Sequence, residues 1–335
     1  MDKILFVVGN SRSGTTMMGR ILGNHPDVYT FGELHFFGQL CSSTDASASL
    51  CEREAVALAA QLLCIQREGY RTHGNPRRFQ EEAREFLDAL SEYPATPTAL
   101  FSAFLSRETA RNEKSIPCDQ TPRNVFYIED ILRFYPQAKV INMIRDPRDV
   151  LLSQKRKWKR RFLGGTDMPL RETFRDWINY HPITISRIWH TAVSAADRFS
   201  ESDSVMSVYF EELLKHPETT VRQLCEFIGI NYSDILLQVP QVGSSSGADK
   251  PTQLGINPTR ANSWEHGELG SAEIYLCEML NAPLMKTHNY PLVSRRPNPV
   301  RLAIDVLSFP VKLTMAFLCN LDRMKNIRET LKRRL

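Results

Sequence analysis

The chain has 335 residues, enough to bury a large core as one large domain or two smaller ones, and its composition is that of a soluble globular protein. A formal net charge of +4 is too small to imply a nucleic-acid partner. The seven cysteines, at 41, 51, 64, 118, 225, 277 and 319, form no CxxC and no regular spacing, which argues for reduced thiols in a cytosol-like compartment and against a disulfide framework or zinc site.

In chain order, Ile4 to Val8 is a short apolar run with β-branched members, the pattern of a strand buried on both faces. No charged region followed by an apolar core and a cleavage site precedes it, so no secretion signal is expected. The strand ends at Gly9. After "NSRSGTT", Met17, Met18, Ile21 and Leu22 recur at helical spacing, so a polar turn opens a helix. Unpaired backbone N–H groups and the positive end of a helix dipole meet there, which makes an anion site. Compared with GxxxxGK[ST], the Gly9 to Gly14 spacing is retained, but Thr15 stands where the lysine would be and a cation appears earlier, as Arg12. A guanidinium gives two parallel hydrogen bonds to a tetrahedral oxyanion, so the loop suits a metal-free phosphate or sulfate group better than magnesium-ATP.

"HPDVYTFGELHFF" reads as a turn, a short strand over 28–31 and a Gly-Glu pair ending in Glu33. Residues 41–112 carry helical patterns near 52–68, 76–91 and 98–112 with little β signal, and read as a helical cap bordering a substrate cleft. The α/β rhythm resumes with a strand over 115–118, a helix over 123–135 and the strand Lys139 to Ile144, which runs into "RDPRDV". A helix, the basic run "KRKWKRR" (155–161), a helix over 170–199, a strand over 204–210 and a helix over 216–230 follow. This alternation predicts a parallel sheet with helices on both faces and ligands at the carboxyl ends of its strands. Residues 241–268, rich in Gly, Ser, Asn and Pro, read as a long loop of the kind that forms lids. From Pro299 the sequence mixes apolar residues at near-helical spacing with many Lys and Arg, and reads as a basic amphipathic tail. An uninterrupted apolar run of about 18 to 20 residues is not found, so no membrane span is expected.

Two strand ends carry strong polar signals, "NSRSGTT" and "RDPRD". Beyond Arg145, Ser153 and Lys157 lie one turn apart on the next helix and complete a second oxyanion pocket. Two such pockets at neighbouring strand ends suit a nucleotide with phosphate at both its 5′ and 3′ positions.

At these motifs the chain resembles the sulfotransferase family, which uses 3′-phosphoadenosine-5′-phosphosulfate (PAPS). The resemblance rests on "SRSGTT", "IRDPRDVLLS", "TPRN" and "VYFEELLKHPETTVRQLCEFIGI", in the family's order over most of residues 3–230. "HPDVYTFGE" places it nearest the branch of tyrosylprotein and carbohydrate sulfotransferases. The implied fold is a three-layer α/β, P-loop NTPase-like fold with a central parallel sheet plus the helical insert. The implied domain spans 1–290, followed by the basic tail 291–335.

The resemblance makes PAPS the sulfuryl donor with no metal required, and makes Glu33 the general base; His35, two residues on and on the same face of an extended segment, is the second candidate. Arg12, Ser13, Gly14, Thr15 and Thr16 would hold the 5′-phosphosulfate, with Arg12 balancing charge on the leaving oxygen. Arg145, Ser153 and Lys157 would hold the 3′-phosphate. Tyr209 would lie near adenine, and Arg260 and Ser263 would belong to a closing loop anchored by Trp264. The chain departs from the family at Gln120, where a lysine often precedes Thr-Pro. Either Arg12 suffices with Gln120 as a neutral donor, or Arg123 takes the lysine's part.

The acceptor is expected to be a hydroxyl of a carbohydrate or glycolipid, with a tyrosyl peptide as the lesser class and no nucleic acid. The alternatives are a non-catalytic PAP, PAPS or polyanion binder and a P-loop kinase-like phosphotransferase. The expected location is cytoplasmic, with peripheral membrane contact through the tail as a further expectation.

Overall fold

The computed structural model describes residues 3–70, 74–159, 170–242, 250–293, 295–320 and 333. Arg160 and Arg161 of the basic run, residues 243–249 of the 241–268 segment, and residues 294, 321–332, 334 and 335 of the basic tail lie outside the described residues.

The apolar run near the N-terminus forms β1 (Leu5–Gly9), and the turn after it opens α1 (Thr15–Gly23). β2 (Val28–Thr30) follows, and then the insert: α2 (Glu52–Glu68), α3 (Gln80–Asp88) and α4 (Pro97–Arg111). The chain returns to the sheet as β3 (Ile116–Asp119), crosses through α5 (Ile128–Phe134) to β4 (Lys139–Ile144), and continues into α6 (Pro147–Lys155). After α7 (Leu170–Asn179) and α8 (Pro182–Asp197) come β5 (Val205–Tyr209), α9 (Phe210–Lys215) and α10 (Pro217–Ile228).

The five strands order as β2-β3-β1-β4-β5 and every pairing is parallel. β1 is central, with Leu5 opposite Cys118 on one side and Lys139 on the other. Alternation along it feeds two cores. Phe6 and Val8 pack with Phe31 and with Phe86, Phe101 and Phe104 of the insert. Leu5 and Val7 pack with Met18, Ile21 and Leu22 of α1 and with Val221 and Leu224 of α10. Each such side chain stabilises the fold by about 1.5–3 kcal/mol on burial, so β1 is held from both faces.

The sheet and the helical insert follow the sequence expectation closely; four features differ. The helix expected over 170–199 is two, because Pro182 cannot continue a helix and His181 caps α8, accepting the Ile183 N–H at 3.3 Å. The expected loop over 241–268 contains a two-stranded antiparallel ribbon, β6 (Pro240–Gln241) with β7 (Lys250–Leu254). α11 (Ser271–Thr287) lies beyond the expected elements and packs on α8. Finally, α12 (Pro299–Asn320) is, by length and composition, a helix long and apolar enough to cross a membrane, although Asp305 and Lys312 interrupt its apolar run.

Candidate active site

From β1 the chain moves to one side of the sheet, and it reappears on the other as β4. The crevice at the carboxyl ends of β1 and β4 is therefore the topological switch point. Gly9 passes β4 so closely that a Cβ there would stand 2.5 Å from the Met143 carbonyl oxygen. The loop then turns through left-handed conformations at Arg12 (φ 75°) and Gly14 (φ 95°). At Gly14 a side chain would be strained and would strike Phe210 at 2.4 Å. No side chain caps the start of α1 and its first turn holds no acid, which leaves its N–H groups open to an anion.

The crevice is lined by Arg12, Gly14, Thr15, Thr16, Arg20, Glu33, Arg145, Asp149, Ser153, Phe210, Arg260 and Ser263, among others. It thus unites the two expected anion pockets with Glu33. Charge favours an anionic ligand: Arg12, Arg20, Arg145 and Arg260 stand against Glu33 and Asp149.

The "RDPRD" segment divides its labour. Asp146 caps α6, accepting the Arg148 N–H at 2.8 Å, and its carboxylate pairs with the buried Arg148 guanidinium, which also meets Glu278 at 2.8 Å. Arg148 is structural. Arg145 faces the crevice, donating to the Arg12 carbonyl (3.1 Å) and the Arg260 carbonyl (3.2 Å), with Asp149 at 3.6 Å. Its guanidinium lies 4.4 Å over the Phe210 ring. Asp149 accepts the Trp264 N–H at 2.9 Å, and the Trp264 ring lies beneath Arg148 at 3.9 Å. Trp264 is buried, and it anchors the segment bearing Arg260 and Ser263.

Arg12 Nε donates to Ser153 Oγ at 2.9 Å, linking the first loop to α6. Ser13 is fully buried, its N–H turned to the Asn10 carbonyl at 3.1 Å. Ser13 Oγ and Arg145 Nε are buried without a hydrogen-bond partner among the described residues. Unused donors beside an open helix N-terminus fit a phosphate or sulfate oxyanion.

Glu33 sits between β2 and the insert on a segment held from below. Asp119, at the end of β3, is fully buried and accepts from Thr121 (2.7 Å), Asn124 (2.8 Å) and the Leu34 backbone. Thr121 Oγ1 in turn receives the His35 N–H at 3.3 Å. Burial pushes the Asp119 carboxyl up to about 7, against the lowering effect of its hydrogen bonds, with the Glu33 charge adding to the rise. His35 Nε2 lies 3.1 Å from Glu33 Oε2, and the His35 ring packs at a tilt against Tyr70 with centroids 3.9 Å apart. His35 therefore touches Glu33 from behind and is itself buried.

Three expected site residues stand outside the crevice lining: the fully buried Ser13, Lys157 and Tyr209. Lys157 pairs with Asp176 of α7 at 2.6 Å, and the Tyr209 hydroxyl meets His288 Nδ1 at 3.0 Å. Gln120 is buried behind α1, with Nε2 3.4 Å from Thr16 Oγ1, and Arg123 lines a separate pocket beside Tyr127. Arg20, Asp149 and Phe210 line the crevice beyond the residues expected from sequence. A strand-end aromatic such as Phe210 reads as core, and the apolar face of its helix masks Arg20.

Residues 5–234 match the model of the Sulfotransferase family, and the chain belongs to that family. Among curated relatives it is 25% identical over 277 residues to a protein of Aquifex aeolicus (strain VF5), covering 79% of this chain and 30% of that one. It is 27% identical over 239 residues to a putative protein-tyrosine sulfotransferase of Caenorhabditis briggsae, covering 70% of this chain and 69% of that one. The match thus spans less than a third of the first relative's length and about two thirds of the second's. The fold is that of the sulfotransferase domain of the Synechococcus PCC 7002 olefin synthase, with a TM-score of 0.53 and 19% identity over 87% of this chain and 95% of that one.

Proposed function

We propose that this chain moves the sulfuryl group of PAPS to an acceptor hydroxyl, with Glu33 as general base. The observation that carries the reading is one crevice in which Glu33 faces Arg12, Arg145, Ser153, Arg260 and the open N-terminus of α1. When bound, PAPS supplies an activated sulfuryl group on a 5′-phosphate. Arg12 and the loop from Ser13 to Thr16 hold that phosphate and offset the charge that grows on its oxygen as the S–O bond breaks. Arg145, with Ser153, holds the 3′-phosphate, and Arg260 and Ser263 close over the nucleotide. The acceptor oxygen forms its bond to sulfur while its proton passes to the Glu33 carboxylate.

Lys157 joins this site only by leaving Asp176, and Tyr209 supports it through the wall it shares with Phe210. With Gln120 behind α1, Arg12 carries the leaving-oxygen charge. The reaction proceeds by positioning and fixed charge without a metal.

A carbohydrate or glycolipid hydroxyl remains our proposed acceptor; a tyrosyl peptide is the second reading, favoured by the named nematode relative. The domain spans 1–290 with the tail beyond it. Calorimetric titration with adenosine 3′,5′-bisphosphate, against 5′-AMP and magnesium-ATP, tests the nucleotide site. Binding that needs the 3′-phosphate and is lost in Arg145→Ala supports the reading; preferred binding of magnesium-ATP overturns it. Radiolabelled PAPS offered with saccharide, lipid-linked saccharide and tyrosyl-peptide panels identifies the acceptor. Nucleotide binding with no Glu33-dependent turnover on any panel would mark a non-catalytic binder.

A further inference from the structure

α12 is turned inside out relative to an ordinary surface helix. Asp305, Lys312 and Asn320 turn toward the domain. Asp305 is 5% exposed, its carbonyl accepting from His181 Nε2 at 3.0 Å and its carboxylate 3.3 Å from Arg301. The Lys312 ammonium lies 3.8 Å over the Trp177 ring, and the Asn320 amide donates to Asn179 Oδ1 at 2.7 Å. The outward stripe is apolar at heptad spacing: Val300 (68% exposed), Ile304 (51%), Leu307 (76%), Val311 (61%) and Leu318 (60%). Only 6% of the helix's most apolar stretch is buried. Burial in water-soluble folds selects the opposite arrangement, so this face requires an apolar occupant.

The neighbouring α7 extends the same surface. It packs along α12 and exposes Leu170 (69%), Phe174 (56%) and Trp177 (48%), the last two rings stacked at 6.1 Å. Positive charge brackets the stripe. Arg295, Arg296 and Arg301 precede or open it, and the sequence beyond it holds Arg323, Lys325, Arg328, Lys332 and Arg334 against Asp322 and Glu329, while Arg333 is taken up by Asp130 at 2.7 Å. Two copies of such a helix would bring like charges together in either orientation, whereas anionic headgroups attract both ends. Trp177 and Lys312 at the margin suit the headgroup level.

We infer that α12 docks this protein on an anionic lipid bilayer, lying in the plane of the interface with the Val300–Leu318 stripe at the acyl boundary and Phe174 and Trp177 beside it. The helix is roughly 33 Å long at about 1.5 Å per residue, enough to span. The hydrogen bonds from its inward face to His181 and Asn179 hold it along the domain instead.

The test is flotation of the full chain, exchanged from detergent onto phosphatidylcholine vesicles with and without phosphatidylserine, beside the double variant Leu307→Glu, Val311→Glu. Both positions are exposed, so the variant should keep the wild-type melting curve. Expected are flotation with the anionic vesicles, at least about tenfold less with neutral ones or at high salt, and loss of flotation in the variant. Unchanged flotation of the variant, or none with either vesicle, overturns the inference. So does a dimer by analytical ultracentrifugation that the variant breaks without vesicle binding. Release of the bound protein by alkaline carbonate supports the in-plane placement; retention overturns it in favour of a span.

Discussion

Arg12 and Ser153 stand 141 positions apart in sequence, yet Arg12 Nε donates to Ser153 Oγ across 2.9 Å. This bond joins the loop after β1 to the helix after β4, so the two anion pockets form one pre-arranged surface. Removing it should cost nucleotide affinity. Arg12→Lys keeps a charge but loses the fork, and adenosine 3′,5′-bisphosphate should bind about tenfold to a hundredfold more weakly by calorimetry. Ser153→Ala should cost less, because Arg12 can then give its Nε–H to the ligand. An equal loss in the two variants would show that the Ser153 hydroxyl's own contact with the 3′-phosphate matters as much as the Arg12 fork.

Glu33 should separate chemistry from binding. Glu33→Gln is expected to lower turnover about a hundredfold to ten-thousandfold while leaving bisphosphate affinity within a factor of about two. A parallel fall in affinity would place Glu33 among the nucleotide ligands. His35→Ala should lower turnover by less, because His35 touches Glu33 and is buried away from the crevice.

Asp149 tethers the closing segment through the Trp264 N–H at 2.9 Å. Asp149→Ala is expected to weaken bisphosphate binding by about tenfold, chiefly through faster dissociation in stopped flow, and to lower stability by about 1–3 kcal/mol. Asp149→Asn retains the accepting oxygen and should recover most of the dissociation rate. If the Asn variant dissociates as fast as the Ala variant, the charge facing Arg145 is what matters.

Glu211 makes stability depend on pH. Burial pushes its carboxyl up to about 7 from 4.5, opposed by the Asp146 N–H it accepts at 2.9 Å; Tyr290 also donates to it at 2.9 Å. The folded state therefore holds this proton more tightly than the unfolded chain. The resulting stabilisation is full below about 4.5 and is lost as pH rises through about 7. Glu211→Gln keeps an acceptor for Asp146 and lacks the titration. Relative to the variant, the wild type should lose stability between these limits at up to about 1.4 kcal/mol per pH unit. Urea titrations at several pH values check this; parallel curves would remove Glu211 from the pH dependence. Asp119, raised to about 7 by burial, acts in the same direction and is common to both proteins.

Gly14 has no room for a side chain. Gly14→Ala adds a Cβ 2.4 Å from Phe210 in a left-handed conformation, and should cost about 1–3 kcal/mol by thermal melting. Phe210→Ala in the same chain should relieve the clash and leave the backbone strain. No relief would mean that the backbone carries the whole cost.

Local pattern by itself determined the strands and pointed to much of the candidate crevice's lining. The continuous apolar runs of β1 and β4, the Gly-bounded turn at "NSRSGTT" and the helical spacing of the insert are short-range signals, because buried strands and helix starts impose their requirements within a few residues. That Arg12, Arg145 and Glu33 belong near strand ends followed from the same signals. What only the tertiary structure decided concerns partners distant in the chain. Arg148 and Arg145 look alike in "RDPRD", yet Arg148 is buried against Glu278 while Arg145 faces the crevice. Lys157 meets Asp176, and Gln120 lies behind α1, because the packing of α7 and α1 takes up those side chains. α12 is the clearest case. Its composition showed a mixture of apolar and basic residues, but which face turns outward depends on what α7, α8 and α11 offer it, and His181 and Asn179 draw the polar stripe inward.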